Sequence, residues 1–323
     1  MHRRTLLAAS AASLAVPGLA RAQSWPRQPI RFVVPFAAGG PTDVPARVIA
    51  EQMSKDLPQR VIVENRTGAG VVVGSEVVAK GEKDGSVFLY STIAHAVMRP
   101  LFPNLSFDPI ADFSPVALVG VVPMVLMVNK SVPANNLQEL VALLKANPGK
   151  YDYASSGNGA ALHLAAELFL KLGGGLKANH VPYRGSAAAY PDVLNGTIGI
   201  ICDVAASAVP FVQKGELRAL AISGKTRSPL IPDVPTFAEA GMPDYEAYTW
   251  HMVFAPAGTP DAIVTAMNSE LNKAVAQPNV KQRLEELTIN VMTDSTPASA
   301  AAFLKSEVDK WEPILKAAGI KVE

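Results

Sequence analysis

The chain has 323 residues, of which 29 are basic, 28 are acidic and nearly half are hydrophobic. This near-neutral balance gives no reason to expect a nucleic acid or an anionic membrane surface as partner. The only cysteine, Cys202, excludes an intramolecular disulfide, so stability must come from a buried core. A chain of this length forms such a core most naturally as two lobes.

The first residues have the pattern of an export signal. Arg3 and Arg4 precede an apolar stretch over 6–19, and Ala20-Arg21-Ala22 is a small-residue cleavage site. The apolar stretch is too short to span a bilayer. We therefore expect residues 1–22 to be a signal peptide cleaved near Ala22 and the mature protein to be periplasmic. The arginine pair also suits twin-arginine export, and the choice between the two routes stays open.

The N-terminal half alternates strands with helices. An apolar strand at 30–36 is followed by a glycine break and by apolar residues at helical spacing from Val44 to Leu57. Later elements are a strand at 60–64, a glycine-rich turn at 68–74, a helix from 75–80, a strand at 87–91 and a buried strand at 116–128.

The second half shows the same alternation of strands and helices. Strands are expected at 151–155, 178–182, 198–203 and 217–223, and helices at 136–146, 162–172, 187–194, 260–276, 280–287 and 297–318. This alternation predicts an α/β protein with parallel sheets covered on both faces.

Two extended segments, 123–130 and 246–256, are expected to cross between the lobes. One lobe is then formed by residues 23–126 together with 249–323, and the other by residues 127–248. Two crossovers make a hinge, which favours closure around a ligand in the cleft.

The loop from Phe36 to Asp43 joins a strand to a helix and contains Gly39 and Gly40. Glycine lets a ligand approach the backbone, and the amides at a helix start attract anions. The loop therefore suits an anion site without a charged side chain. The alternative, which the loop alone favours slightly, is an ordinary strand-helix turn in which Thr42 or Asp43 caps the helix.

The loop 155–160 repeats this arrangement in the other lobe. Ser155 and Ser156 supply hydroxyl groups, and Gly157 and Gly159 flank Asn158. One loop from each lobe could hold a single carboxylate from both sides.

Other site types lack their required residues. The glycines fit neither a dinucleotide fingerprint nor a phosphate-binding P-loop, and there is no G-x-S-x-G nucleophile motif. His163 suits capping or packing better than ligand contact, and Cys202 suits an inert core thiol. No cluster has metal-ligand spacing, so neither a metal nor a cofactor is expected.

An ordered set of short motifs is similar to the tripartite tricarboxylate transporter receptor family, also called Bug or TctC-like periplasmic binding proteins. The motifs are PFAAGGPTD at 35–43, VENRTGAG at 63–70, DG at 84–85, FDP at 107–109, PGK at 148–150, SSGNG at 155–159, HL at 163–164, VPYRG at 181–185, LA at 220–221, PDVPT at 232–236, EAG at 239–241 and APAGTP at 255–260. The sequence departs from the family at Val71, where glycine is usual, and at Ser86-Val87.

The resemblance implies a two-lobed periplasmic-binding-protein fold (a Venus flytrap, type II-like) that holds a ligand carboxylate between the two loops. By matching position it implies these ligand-binding residues: Phe36, Gly40, Asp43, Ser155, Ser156 and Gly159. Cleft geometry adds Ser91, Tyr183 and Thr249.

The expected function is therefore that of a non-enzymatic solute receptor. It would bind a small organic anion and deliver it, as a monomer, to separate membrane permease subunits. Two alternatives stay open: a sensing module for a signalling partner, and a hydrolase or transferase acting on a similar anion. The sequence does not identify the ligand.

Overall fold

The computed structural model describes residues 25–68, 71–102 and 104–318. The expected signal peptide at 1–22 and the Ala69-Gly70 part of the glycine-rich turn lie outside these residues. Among the helices that are described, none combines the length and apolar character needed to cross a bilayer.

Ten strands are formed by the described residues. They are β1 (Ile30–Val34), β2 (Val61–Asn65), β3 (Val87–Ser91), β4 (Phe113–Asn129), β5 (Asp152–Ser155), β6 (Asn179–Pro182), β7 (Ile200–Val204), β8 (Leu217–Ile222), β9 (Tyr248–Pro256) and β10 (Asn290–Val291). Each expected strand is present with ends shifted by a few residues, and 87–91 agrees at both ends.

The described residues also form ten α-helices, which cover the faces of the sheets. They are α1 (Asp43–Asp56), α2 (Val72–Ala79), α3 (Met98–Leu101), α4 (Leu137–Ala146), α5 (Ala161–Leu172), α6 (Ser186–Leu194), α7 (Ala205–Gln213), α8 (Asp261–Ala276), α9 (Pro278–Glu286) and α10 (Pro297–Ala318), with a 3₁₀ turn at Ile93–His95.

The strands form two sheets that share β4. The first sheet has the order β2-β1-β3-β9-β4-β10, and the second has the order β8-β4-β7-β5-β6. Residues of β4 up to Pro123 pair with β9, whereas residues from Met124 onward pair with β7 and β8. A single long strand therefore passes from one lobe into the other.

The α/β class is confirmed, but the sheets are mixed and not parallel throughout. The pairs of β1 with β2 and β3, and of β5 with β6 and β7, are parallel. However, β9 runs antiparallel to β3 and β4, and β4 runs antiparallel to β7, β8 and β10. The reason is that one long strand of each sheet, β9 in the first and β4 in the second, enters from the opposite lobe and therefore runs against the neighbouring strands.

The core is apolar and is partly common to both lobes. The largest cluster of buried side chains includes Leu89 and Trp250 of the first sheet together with Leu126 and Tyr153 of the second. Two smaller clusters each belong mainly to one sheet and the helices that cover it. Burial of this kind contributes about 25 cal/mol for each Å² of apolar surface.

Helices α3 and α7 were not expected from the sequence. Helix α7 (AASAVPFVQ) is short, lacks charged residues and contains Pro210, so it shows no clear amphipathic pattern. Its position between β7 and β8 completes the covering of the second sheet.

Candidate functional site

The carboxyl ends of two sets of strands face each other across the junction of the lobes. Strands β1, β2 and β3 are parallel and run in the same direction as the first half of β4, toward the second sheet. Strand β7 is antiparallel to β4, and β5 and β6 are parallel to β7, so their carboxyl ends point back. Ligands of open α/β sheets bind outside such strand ends.

On the first lobe, the loop after β1 is closed by the carboxylate of Asp43, the first residue of α1. This carboxylate accepts hydrogen bonds at 2.8 Å from the Gly39 N–H, the Arg47 Nε and the Asn65 Nδ2. Asn65 also donates to the Phe36 carbonyl at 3.0 Å, which fixes both ends of the loop. Gly39 has a φ of 76°, a conformation that glycine adopts without strain.

Asp43 is almost completely buried, and burial alone would raise its pKa. The hydrogen bonds from Arg47, Gly39 and Asn65 outweigh burial, so the pKa of Asp43 lies below its usual value. The carboxylate is therefore ionised and paired, and its oxygens are already used within the protein.

On the second lobe, Ser155 at the end of β5 is buried and bonded internally. Its Oγ accepts the Gly157 N–H at 3.1 Å and lies 2.6 Å from His180 Nε2. The Gly159 N–H donates to His163 Nδ1 at 3.0 Å. Gly157 and Gly159 have φ values of 129° and 69°.

These bonds show which amides of the two loops are already used within the protein. The Gly39 and Gly159 amides are bonded to Asp43 and His163, and the Gly40 N–H donates to the Ala37 carbonyl at 3.3 Å. The sequence analysis expected the free amides at the helix starts, and not those of these glycines, to face a ligand. Both loops are thus turns stabilised by nearby side chains.

The start of α5, directly after the second loop, retains backbone N–H groups that can donate hydrogen bonds to a ligand. Its N-cap residue, Ala160, has no side chain able to cap the helix, and its first turn contains no acidic residue. The first N–H groups of a helix have no partner within the helix, and the helix dipole makes this end positive. Ser156 lies partly exposed beside this helix start.

The remaining predicted site residues, Ser91, Tyr183 and Thr249, lie at the same junction, each in a different environment. Ser91 ends β3 and is fully buried, and its hydroxyl has no hydrogen-bond partner among the described residues. The Tyr183 N–H donates to the Ser155 carbonyl, which places Tyr183 beside the second loop. Thr249 lies in β9 opposite Val122, where β4 leaves the first sheet.

Tyr183 has a further contact that limits its role. Its hydroxyl donates to Asp192 at 2.6 Å, and this bond, together with burial, raises the pKa of Tyr183 to about 12. The hydroxyl therefore stays protonated at neutral pH and is directed toward α6.

The two lobes come into contact at a leucine side chain beside the second loop. A methyl group placed on Gly159 would lie 2.6 Å from Leu101 Cδ1 at the end of α3. Because α3 belongs to the first lobe and Gly159 to the second, the lobes touch at this point. Leu101 carried no recognisable signal in the sequence, because it is one apolar residue in a short helix.

Sequence analysis also missed the role of His180, which was one of several scattered histidines. His163 does cap the loop, as its position at the start of α5 indicated, because Nδ1 accepts an amide hydrogen. Its spacing of four residues from Gly159 was the available signal. His180 is brought to Ser155 by the pairing of β6 with β5, which is a contact between distant residues.

The site shows no catalytic arrangement. The Ser155 and His180 pair has the spacing of a nucleophile and a base, but the serine is completely buried and its Oγ already accepts an amide hydrogen. Burial raises the pKa of the Cys202 thiol to about 12, as expected for an inert thiol. In the described part of the chain, no group of three or more His, Cys, Asp or Glu residues could hold a metal ion.

Known proteins resemble this chain over nearly its whole length. The model of the tripartite tricarboxylate transporter family receptor matches residues 45–320. Protein BugT of Bordetella pertussis is 35% identical over 328 residues, covering 100% of both chains. A UPF0065 protein of Pseudomonas sp. strain P51 is 38% identical over 296 residues, covering 91% of this chain and 88% of the relative.

Several solved structures have the same fold. The periplasmic binding protein BugD is 34% identical with a TM-score of 0.77, and its match covers 93% of this chain and 100% of BugD. Rpa4515 of R. palustris, solved with adipate, is 33% identical with a TM-score of 0.80 and the same coverage. MatC from Rhodopseudomonas palustris, solved with malate, is 33% identical with a TM-score of 0.76, covering 90% of this chain and 100% of MatC.

These matches confirm the two-lobed periplasmic-binding-protein fold and the assignment as a non-enzymatic solute receptor. The chain belongs to the tripartite tricarboxylate transporter receptor family.

Proposed function

We propose that this protein binds a small carboxylate between the loops 36–43 and 155–160 and delivers it to separate permease subunits of a tripartite tricarboxylate-type transporter. The observation that carries the proposal is the uncapped start of α5, which faces the first lobe across the junction. Relatives of the same fold were solved with adipate and malate, which are both carboxylates.

In this proposal the two loops have different roles. The first-turn amides of α5 and the Ser156 hydroxyl hold the anion, because the helix dipole and free donors favour negative charge there. The α1 end already contains the Asp43 carboxylate, so Phe36 and Gly40 act mainly as a wall. Asp43, Ser155 and Gly159 shape the loops.

Ser91 and Thr249 are proposed to line the base of the cleft. The Ser91 hydroxyl has no partner among the described residues, and leaving a buried polar group unpaired costs about 1–3 kcal/mol. Opening of the lobes, or a bound ligand, would give this hydroxyl a partner. Tyr183 is proposed to support the second loop through its backbone.

Closure is proposed to occur by rotation about β4 and β9. Residues 23–126 and 249–323 then move as one lobe, and residues 127–248 as the other. Strand β4 changes partners between Pro123 and Met124, and a proline lacks the N–H that would tie it to a neighbouring strand. This is the natural place for a bend.

The test is a thermal-shift screen of the chain from Gln23 onward against mono-, di- and tricarboxylates, including malate and adipate. A ligand at a hundred times its dissociation constant adds about 2.7 kcal/mol of stability. Gly159→Trp should abolish the shift, since its side chain would enter the space between the lobes. Gly175→Trp is the control, because Gly175 also has a positive φ (76°) but has open space around it.

A bound acid recovered chemically unchanged supports a receptor, whereas a converted acid would contradict it. Affinity capture from membranes with the loaded protein tests delivery: recovery of multi-span permease subunits is expected, and recovery of a signalling protein instead would favour sensing. Light scattering should give the mass of a monomer.

A further inference from the structure

Two stacked histidine rings and a neighbouring tyrosine form an aromatic cluster directly behind the second loop. The rings of His163 and His180 lie 3.7 Å apart between centroids and are tilted by only 16°. Tyr153 packs beside this pair, 5.0 Å from His180 and 6.2 Å from His163. These residues come from α5, β6 and β5, so the cluster joins three elements.

Each histidine is bonded to a different end of the loop. His180 Nε2 lies 2.6 Å from Ser155 Oγ, at the point where β5 ends. His163 Nδ1 accepts the Gly159 N–H at 3.0 Å, just before α5 begins. Because the two rings stack on each other, the two ends of the loop are held at a fixed separation.

The hydrogen bonds define the protonation of His163. Its Nδ1 is an acceptor, so the ring hydrogen is on Nε2, which lies 3.9 Å from Glu167 Oε1. Burial, together with the neighbouring His180, lowers the pKa of His163 to about 3, so the ring is neutral. Glu167 accepts the Tyr153 hydroxyl at 2.6 Å, so Tyr153 has no hydrogen bond to the loop.

A loop of this composition needs such support. Gly157 and Gly159 both have φ values in a region open mainly to glycine, and glycine loses more conformational entropy than other residues when it is fixed. Without His163 the Gly159 amide loses its acceptor, and without His180 the Ser155 hydroxyl keeps only the Gly157 carbonyl at 3.2 Å. Several loop shapes would then compete, and only some would present the α5 amides to an anion.

We propose that His163 and His180 are positioning residues that hold the 155–160 loop in its ligand-binding shape. They act through Gly159 and Ser155 and do not touch the ligand. This inference rests on the proposed function, since it assigns a role within the same site.

The experiment compares His163→Asn with His163→Leu. Asparagine places an oxygen acceptor close to the position of Nδ1, whereas leucine removes the acceptor at similar size. Tyr153→Phe is the matched control, because it keeps the ring beside the stacked histidines but removes a bond that does not reach the loop. His180→Gln and His180→Leu form a second pair if His163→Leu does not fold.

Two readouts are used. Amide hydrogen exchange of Gly159 in the ligand-free protein should accelerate about tenfold or more in His163→Leu and stay near wild type in His163→Asn and Tyr153→Phe. Calorimetric titration uses the panel acid with the largest thermal shift on the wild type. Its affinity should fall about tenfold in His163→Leu and recover in His163→Asn.

Unchanged Gly159 exchange in His163→Leu would overturn the inference, as would equal affinities of the Leu and Asn variants. Either result leaves carboxylate binding by the wild type in place. If instead no acid binds the wild type, the proposed function fails and the positioning role fails with it.

Discussion

The two loops at the junction have the same architecture but are stabilised by opposite chemistry. Each follows a parallel strand, contains at least one glycine in a left-handed conformation and leads into a helix. The first is held by an ionised carboxylate, Asp43, paired with Arg47 and Asn65. The second is held by two neutral imidazoles, His163 and His180.

This difference shows why the two ends of the cleft are not equivalent for an anion. A carboxylate at the start of α1 occupies the positive end of that helix and cancels much of its attraction. The neutral rings beside α5 stabilise the loop without adding negative charge, so the dipole of α5 stays available. The second lobe is therefore the better anion-binding half.

Lowering the pH should cause the largest loss of stability among the changes considered. It should act on the buried histidines at a higher pH than on the Asp43 carboxylate of the first loop. Burial lowers the pKa of His95 and His251 to about 4 and that of His163 to about 3. Unfolding returns each toward about 6.5, so the unfolded chain binds more protons below that pH and stability falls as pH falls.

Asp203 opposes this trend, because burial raises its pKa to about 6. The three histidines less Asp203 give a net difference of two protons, which corresponds to about 3 kcal/mol for each pH unit between about pH 6 and pH 4.5. Burial also lowers the pKa of His180, which acts in the same direction. Asp43 contributes its stability throughout this range and loses it only at lower pH, since its pKa is depressed. Urea denaturation at several pH values measures the slope, and a flat profile would contradict neutral buried histidines.

Replacing the carboxylate of the first loop should have the next largest effect. Asp43→Ala leaves the Gly39 amide, Arg47 and Asn65 without their acceptor, so we expect a loss of about 2–3 kcal/mol in the free energy of unfolding. Denaturant titration measures it. Asp56→Ala, at the exposed end of α1 with a bond only to Gln52, is the control and should change stability by less than about 0.5 kcal/mol.

Replacing one glycine in each loop by alanine should lower the affinity for a carboxylate to different extents in the two loops. Gly159→Ala combines a φ of 69° with a contact at 2.6 Å to Leu101, so we expect roughly tenfold weaker carboxylate binding. Gly40→Ala meets only the Ala37 carbonyl at 3.2 Å and should change binding much less.

The control for backbone strain is Gly175→Ala, where φ is 76° and the space is open. Adding Leu101→Ala to Gly159→Ala should recover part of the lost affinity, because the shorter side chain removes the contact. Failure of this recovery would show that strain, and not contact between the lobes, weakens binding.

The smallest effect is expected for Tyr183→Phe. This change removes the bond to Asp192 but keeps the backbone bond that aligns residue 183 with Ser155. Calorimetric titration should show an affinity within about twofold of wild type. A large loss would show that the hydroxyl contacts the ligand, and the support role would be wrong.

Local patterns in the sequence predicted the fold well, whereas contacts between distant residues were hidden. Strand 87–91 and helix 297–318 follow directly from apolar spacing and turn residues. The antiparallel direction of β9 could not be read, because it depends on the chain returning from the other lobe. Helix α7 was missed because its small residues and Pro210 show no periodic stripe.

The same distinction holds for the candidate site. Both loops were located from their glycines, and the bond of Asp43 to Gly39 and that of His163 to Gly159 span four residues, so spacing could have suggested them. The contacts of Asn65 with Asp43, and of His180 with Ser155, depend on strand pairing. No local pattern indicates them.

The continuous strand β4 and the shared apolar cluster make the receptor a single cooperative unit. Leu89, Leu126, Tyr153 and Trp250 pack in one cluster although they belong to different sheets. A fragment of residues 127–248 would expose part of that cluster to water and lose the strand that enters from the first lobe. Heating should therefore melt both lobes in one calorimetric transition. An intermediate with only one lobe folded, which a protease could cleave, is therefore not expected.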